Sequence, residues 1–147
     1  MVRIAYVLKL IAAALVAGTA TAGSQPSLGA AKWRAILGPV GGARVRGGAI
    51  AEAKSAESTR FTVTIRDAPA NVTLAWHMHS GTCASPGGVV GSGYPELRSG
   101  PGGTAEAAVV VAVAPPEQGD FVVQVHGANG SPIACGELKR IGEPGTQ

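Results

Sequence analysis

The segment Thr59–Arg66 reads TRFTVTIR and decides the fold class of this 147-residue chain. Phe61, Val63 and Ile65 alternate with polar residues, so the apolar side chains would lie on one face of an extended strand. The turn-forming segment Asp67–Asn71 follows directly. This period of two indicates a half-buried β-strand rather than a helix.

Six further segments have the length and composition of strands and are separated by turn residues. A helix over Ala105–Ala114 is the alternative for one of them, but its run of valines and its flanking turns favour a strand. Short strands at roughly ten-residue spacing predict an all-β sandwich or small barrel. The six segments are Lys32–Leu37, Ala43–Ala53, Val72–His79, Thr104–Val113, Phe121–His126 and Ile133–Arg140.

Two regions are expected to depart from regular strands. Gly47 and Gly48 stand inside the second predicted strand, where they indicate a bulge or bend. The glycine-rich segment Ser80–Pro101 shows little periodicity and begins directly after a histidine pair. We interpret it as a long loop, which in a compact domain is usually functional or mobile.

The first 22 residues have the features of a secretory signal peptide. Arg3 and Lys9 supply positive charge, Leu10–Val16 is apolar and uncharged, and Ala20–Ala22 has the small-x-small form of a cleavage site. A membrane anchor is the alternative, but the apolar run is far shorter than the roughly 20 residues that span a bilayer. We therefore expect cleavage before Gly23, a secreted or periplasmic protein, and no membrane segment in the mature chain.

The mature chain is long enough for one domain with one core. Removal of the two signal-peptide cations lowers the net charge from +3 to +1, and no basic cluster extends beyond Arg44 and Arg46. Nucleic acid is therefore not an expected partner. The predicted divisions are a signal peptide at 1–22, a linker at 23–31, a β domain at 32–140 and a C-terminal tail at 141–147.

The chain has three histidines, and two of them stand two residues apart. His77 and His79 would project from one face of their strand, while Trp76 and Met78 would face the core. His126 ends another predicted strand and could close the third side of a site. One histidine alone is usually an ordinary polar residue, but three imidazoles without a thiolate suit copper or zinc.

Four carboxylates stay open as additional ligands, since nothing in their spacing selects one. They are Asp67, Glu96, Asp120 and Glu137. No serine lies in a nucleophile elbow, and no glycine-rich segment has the lysine of a phosphate loop. We therefore predict no catalytic residues beyond the metal ligands.

Cys83 and Cys135 are the only cysteines. In an exported protein two distant cysteines most often pair, and buried free thiols are the alternative. A bond between them would close a loop of about 50 residues and stabilise the fold by about 4 kcal/mol in the chain-entropy picture.

The order of these residues resembles the copper/zinc superoxide dismutases. The similar features are His-x-His, Gly-x-Cys, a glycine-rich loop, a strand ending in His, and Ala-Cys-Gly near the C-terminus. The resemblance implies that His77, His79 and His126 bind one copper ion and that Cys83 and Cys135 form a disulfide. It also implies an eight-stranded antiparallel Greek-key barrel and superoxide as the substrate.

The chain departs from that family at three places, and one is the connection between His126 and Cys135, where only eight residues stand in place of the family's longer charged loop. Ala84–Gly103 contains no histidine or aspartate, so the family's bridging histidine and zinc ligands have no counterpart, and we expect no zinc. Pro132 stands where the family usually has the arginine that guides the anionic substrate. Electrostatic steering of superoxide should therefore be weak.

A second resemblance is to CHRD domains, which also have a His-x-His, a glycine-rich loop and a late strand ending in Val-His. It implies a non-enzymatic extracytoplasmic module that binds copper or has a structural role. CHRD domains usually lack the cysteine pair, so Cys83 and Cys135 favour the dismutase group.

Overall fold

The computed structural model describes residues 30–142, which contain ten β-strands and no helix within that range. The predicted signal peptide and most of the predicted linker lie outside the described residues. The strands are β1 Lys32–Pro39, β2 Arg46–Ser55, β3 Ser58–Arg66, β4 Thr73–Gly81, β5 Pro86–Val89, β6 Leu97–Arg98, β7 Ala105–Val111, β8 Phe121–His126, β9 Pro132–Glu137 and β10 Lys139–Ile141.

The strands form one antiparallel sheet that curls around a single core, which confirms the predicted all-β class. Eight of them lie in the order β5-β4-β8-β9-β1-β2-β3-β7, while β10 pairs with β1 and β6 pairs with β4. Although β3 and β4 are consecutive in the chain, they are not neighbours in the sheet. The predicted Greek-key connectivity requires a crossover of this kind.

The core lies on the concave side of the sheet, where the period-two patterns place the apolar side chains. In β3, Phe61, Val63 and Ile65 are buried as predicted, while Arg60 is exposed. The ring of Phe61 meets the ring of Trp76 on β4 edge-to-face, with 6.0 Å between centroids. This contact joins two strands that are far apart in the sheet order.

The segment Ser80–Pro101 is more ordered than the sequence predicts. Two short strands, β5 and β6, form within it, and both pair with β4. Leu97 is fully buried and stands opposite Leu74 in the register. The prediction of one long irregular loop was wrong because these pairings are too short to show a period in the sequence.

The other strand predictions need smaller corrections. Gly47 and Gly48 pair with β3 without a register shift, and the irregularity lies between Ala53 and Ser55 instead. A Cβ atom at Gly47 would lie 1.9 Å from the carbonyl oxygen of Thr64, so close backbone approach explains that glycine. The last predicted strand is divided into two, β9 and β10. β10 ends at Ile141, one residue beyond the predicted domain boundary at residue 140.

Candidate metal centre

β4 presents two of the three histidines on the convex face of the sheet. Trp76 is 1% exposed and Met78 is fully buried, so both belong to the core as predicted. His77 and His79 alternate with them and therefore share the opposite face. Met78 is consequently a core residue rather than a metal ligand.

β8 brings the third histidine to the same place. It pairs antiparallel with β4 so that His126 stands opposite Ala75 and Gln124 stands opposite His77. His126 is therefore the diagonal neighbour of His77 on one face of the sheet. One nitrogen from each of His77, His79 and His126 lies within 4.8 Å of the others. The three histidines lie close enough to hold one metal ion.

Backbone carbonyls fix the orientation of two of the rings. Nδ1 of His79 lies 3.0 Å from the Gly87 oxygen, and Nδ1 of His126 lies 3.1 Å from the Gly130 oxygen. A carbonyl oxygen can only accept, so Nδ1 carries the proton in each neutral ring and Nε2 has a free lone pair. Such a second bond is the usual support of a metal-binding histidine.

The free nitrogens of these two rings face each other. Nε2 of His79 and Nε2 of His126 are 3.3 Å apart. With both protons on Nδ1, neither Nε2 has a hydrogen to share, so two lone pairs oppose each other. A cation bound by both nitrogens removes that repulsion.

His77 supplies the third donor in a different way. Its Nδ1 is buried and has no hydrogen-bond partner within residues 30–142. Buried polar atoms normally find a partner, and a metal ion would provide one. The donor set therefore fits a metal that prefers imidazole nitrogen.

The environment favours the neutral form of two of the rings, those of His77 and His126. Burial lowers the pKa of His77, and the neighbouring His126 and His79 lower it further. Burial also lowers the pKa of His126; the bond to Gly130 opposes this effect, and His79 adds to it. Neutral imidazole is the form that binds metals, so protons compete less well at this site than at an exposed histidine.

A disulfide lies beside the histidines. The sulfurs of Cys83 and Cys135 are at bonding distance, 2.10 Å, and close a separation of 52 residues. Cys83 belongs to a tight turn in which Thr82 and Ser85 exchange backbone hydrogen bonds. That turn leads into β5, which carries the carbonyl that orients His79. The bond is typical of proteins outside the cytosol.

The carboxylates left open by the sequence do not join the cluster. Glu96 pairs with Arg98, Glu137 with Lys139, and Asp67 with Arg66. Among the described residues, the cluster contains histidines alone. Two cavities, of about 430 Å³ and 1490 Å³, lie elsewhere and are not lined by the histidines.

The sequence reasoning missed two side chains at this site. Gln124 is 4% exposed, stands opposite His77, and has its amide nitrogen 3.9 Å from the sulfur of Cys135. Its position two residues before His126 could have identified it, because both side chains then share a face. Tyr94 packs against His77 from the β5–β6 connection, and no spacing in the sequence indicates that contact.

No protein-family model matches the chain, and no curated protein is significantly similar to it. Within residues 30–142, no helix has the length and apolar character needed to cross a membrane.

Proposed function

We propose that this chain is an exported copper-binding protein of the superoxide dismutase type. The convergence of His77, His79 and His126, with one nitrogen from each within 4.8 Å of the others, carries this proposal. Superoxide disproportionation is the proposed reaction, and its proposed ligands are those three histidines alone.

The chemistry of the donors supports copper. An all-imidazole site without thiolate or carboxylate suits copper or zinc. The resemblance to copper/zinc dismutases assigns this trio to copper, and the chain has no counterpart of the zinc ligands. When bound, copper would supply a one-electron couple at which superoxide can be both oxidised and reduced.

The protein's own part is to hold the donors in place. Gly87 and Gly130 accept hydrogen bonds that keep Nε2 of His79 and His126 free for a metal. Pro132 replaces the family's guiding arginine, so the chain offers superoxide little electrostatic attraction there. We therefore expect a second-order rate constant for the reaction with superoxide that lies well below the diffusional limit of roughly 10⁹ M⁻¹s⁻¹.

Export is proposed from the signal-like N-terminus and the disulfide. Mass spectrometry of protein recovered outside the cytosol should find Gly23 at the N-terminus, with Cys83 and Cys135 bonded. A chain that keeps residues 1–22, or that has two alkylatable thiols, would contradict this part of the proposal.

Pulse radiolysis tests the activity directly, because it follows superoxide decay without a coupled reaction. In the presence of a chelator that silences free copper, copper-loaded protein should accelerate the decay beyond the protein-free solution, and His126→Ala should abolish the gain. His126→Ala removes one ligand and leaves the buried pair Trp76 and Met78 untouched.

A non-enzymatic copper-binding module of the CHRD type is the second candidate function, favoured by Pro132 and by the near-neutral mature charge. If the loaded protein binds copper but superoxide decays no faster than in the protein-free solution with the same chelator, this second function takes the place of the first.

A further inference from the structure

The three histidines are not supported equally. His79 and His126 each donate a hydrogen bond to a backbone carbonyl. His77 differs: its buried Nδ1 is the nitrogen left for a metal, and within residues 30–142 no backbone carbonyl is found bonded to its other ring nitrogen, Nε2. No backbone carbonyl therefore fixes the orientation of this ring, which leaves that role to packing contacts.

One aromatic side chain packs against that ring. The centroids of Tyr94 and His77 are 5.6 Å apart and their planes are at 85°, an edge-to-face arrangement. Tyr94 also meets Trp76 at 5.0 Å and Phe61 at 6.0 Å. The tyrosine thus connects the buried aromatic core to a metal-binding ring.

The local sequence fixes Tyr94 at this point. Gly91 and Gly93 have φ values of 80° and 85°, a region that favours glycine, and they turn the chain back on itself. A Cβ at Gly91 would lie 2.1 Å from a methyl group of Val113, so only glycine fits there. The Tyr94 hydroxyl then donates to the Val90 oxygen at 2.5 Å, which closes the turn.

This turn is itself attached to the strand that carries the histidines. The amide of Val90 donates to the carbonyl of Met78 at 2.8 Å. Neither β5 nor β6 pairs with β4 at residues 75–78, so the turn covers that edge of the strand beside His77. The hydroxyl end of Tyr94 is therefore connected to β4 through Val90.

We propose that Tyr94 is the positioning residue for His77, setting the orientation of its imidazole and hence the geometry of the bound metal. This inference rests on the proposed copper site and assigns to an aromatic contact the role that backbone carbonyls have at the other two histidines. Loss of a hydrogen-bonded partner of a metal-binding histidine typically lowers metal affinity about 10- to 100-fold, and we expect loss of the Tyr94 ring to have an effect of the same order.

The test compares Tyr94→Leu, Tyr94→Phe and Phe61→Leu in the full chain loaded with copper. Chelator competition gives the copper affinity, and electron paramagnetic resonance gives the copper hyperfine splitting. Tyr94→Leu should lower the affinity about 10- to 100-fold and change the splitting. Tyr94→Phe keeps the ring and its contacts with Trp76 and Phe61 and loses only the hydroxyl bond to Val90, so it should change affinity and splitting less than Tyr94→Leu does.

Phe61→Leu is the matched control, since Phe61 packs in the core against Tyr94 and Trp76, and none of its ring contacts is with a histidine. It should lower thermal stability and leave copper affinity and splitting unchanged. If Tyr94→Leu behaves like this control, the positioning role is wrong. If wild-type protein binds no copper at all, the proposed function fails first, which is a separate result.

A wild-type measurement covers the case in which Tyr94→Leu does not fold. Copper(I) is diamagnetic, so nuclear Overhauser contacts can be recorded in the loaded protein. Contacts between the rings of Tyr94 and His77 should be present. Their absence would overturn the proposal.

Discussion

At the scale of single residues, the chemistry of the site depends on neutral imidazoles. His77 and His126 both have pKa values lowered mainly by burial. In the unfolded chain these two histidines are protonated near the ordinary histidine pKa of 6.5. In the folded protein they are protonated only at a lower pH. Because the unfolded state then binds more protons, acid favours unfolding.

We accordingly predict that copper-free protein loses stability as the pH falls through and below about 6.5. Urea unfolding at about pH 7.5 and about pH 5.5 measures this, with His77→Gln/His126→Gln as the control. The double variant should lose less stability across the same interval. A wild-type stability that is constant or rises towards acid pH would contradict the prediction.

The three histidine ligands could be predicted from the sequence, but the contacts that orient them could not. His77, His79 and His126 could be chosen because strand period places alternate residues on one face. The support of each ring could not be predicted. The carbonyls of Gly87 and Gly130 accept through backbone atoms, which any residue would supply, and Tyr94 approaches from a separate turn.

At the scale of elements, the end of β4 is where the chain turns towards the disulfide and the carbonyl that orients His79. Gly81 has a φ of 87°, and a Cβ there would lie 2.5 Å from the backbone oxygen of Ser85. The same turn holds Cys83 and leads into β5, whose Gly87 carbonyl orients His79. A side chain at Gly81 should therefore displace both the turn that contains Cys83 and the carbonyl that orients His79.

We predict that Gly81→Ala destabilises the protein by roughly 1–3 kcal/mol and weakens copper binding. Gly88→Ala is the control, because a Cβ at Gly88 meets nothing within 4 Å and its φ is not positive. That change should stay within about 0.5 kcal/mol. Equal effects of the two substitutions in urea unfolding would show that the turn is not under conformational constraint.

The strands also differ in how well they can be predicted from their own sequences. β3 was predictable because apolar and polar residues alternate from Arg60 to Arg66. β5 and β6 were not, because they have four and two residues and rely on pairing with β4. Tertiary pairing, rather than local pattern, creates such strands.

At the scale of the whole molecule, one covalent bond links two distant parts of the sheet. Cys83 follows β4, while Cys135 lies in β9, which pairs with both β8 and β1. The sequence predicted the strand-rich domain and the cysteine pair. It did not predict the order of strands, because that order depends on contacts between residues far apart in the chain.

We predict that Cys83→Ser/Cys135→Ser lowers the free energy of unfolding by about 4 kcal/mol, since a loop of 52 residues is released in the unfolded state. Urea unfolding of the variant and of reduced wild-type protein should give the same value. A change below about 1 kcal/mol would mean that the bond contributes little to the fold.

The central claim is that His77, His79 and His126 together form one copper site, and copper titration of the mature chain tests it most directly. Wild-type protein should bind about one copper ion per chain, with nitrogen hyperfine structure from imidazole ligands in its paramagnetic resonance spectrum. The His77→Ala/His79→Ala/His126→Ala protein should bind none under the same conditions. Equal copper in the two proteins would contradict the account.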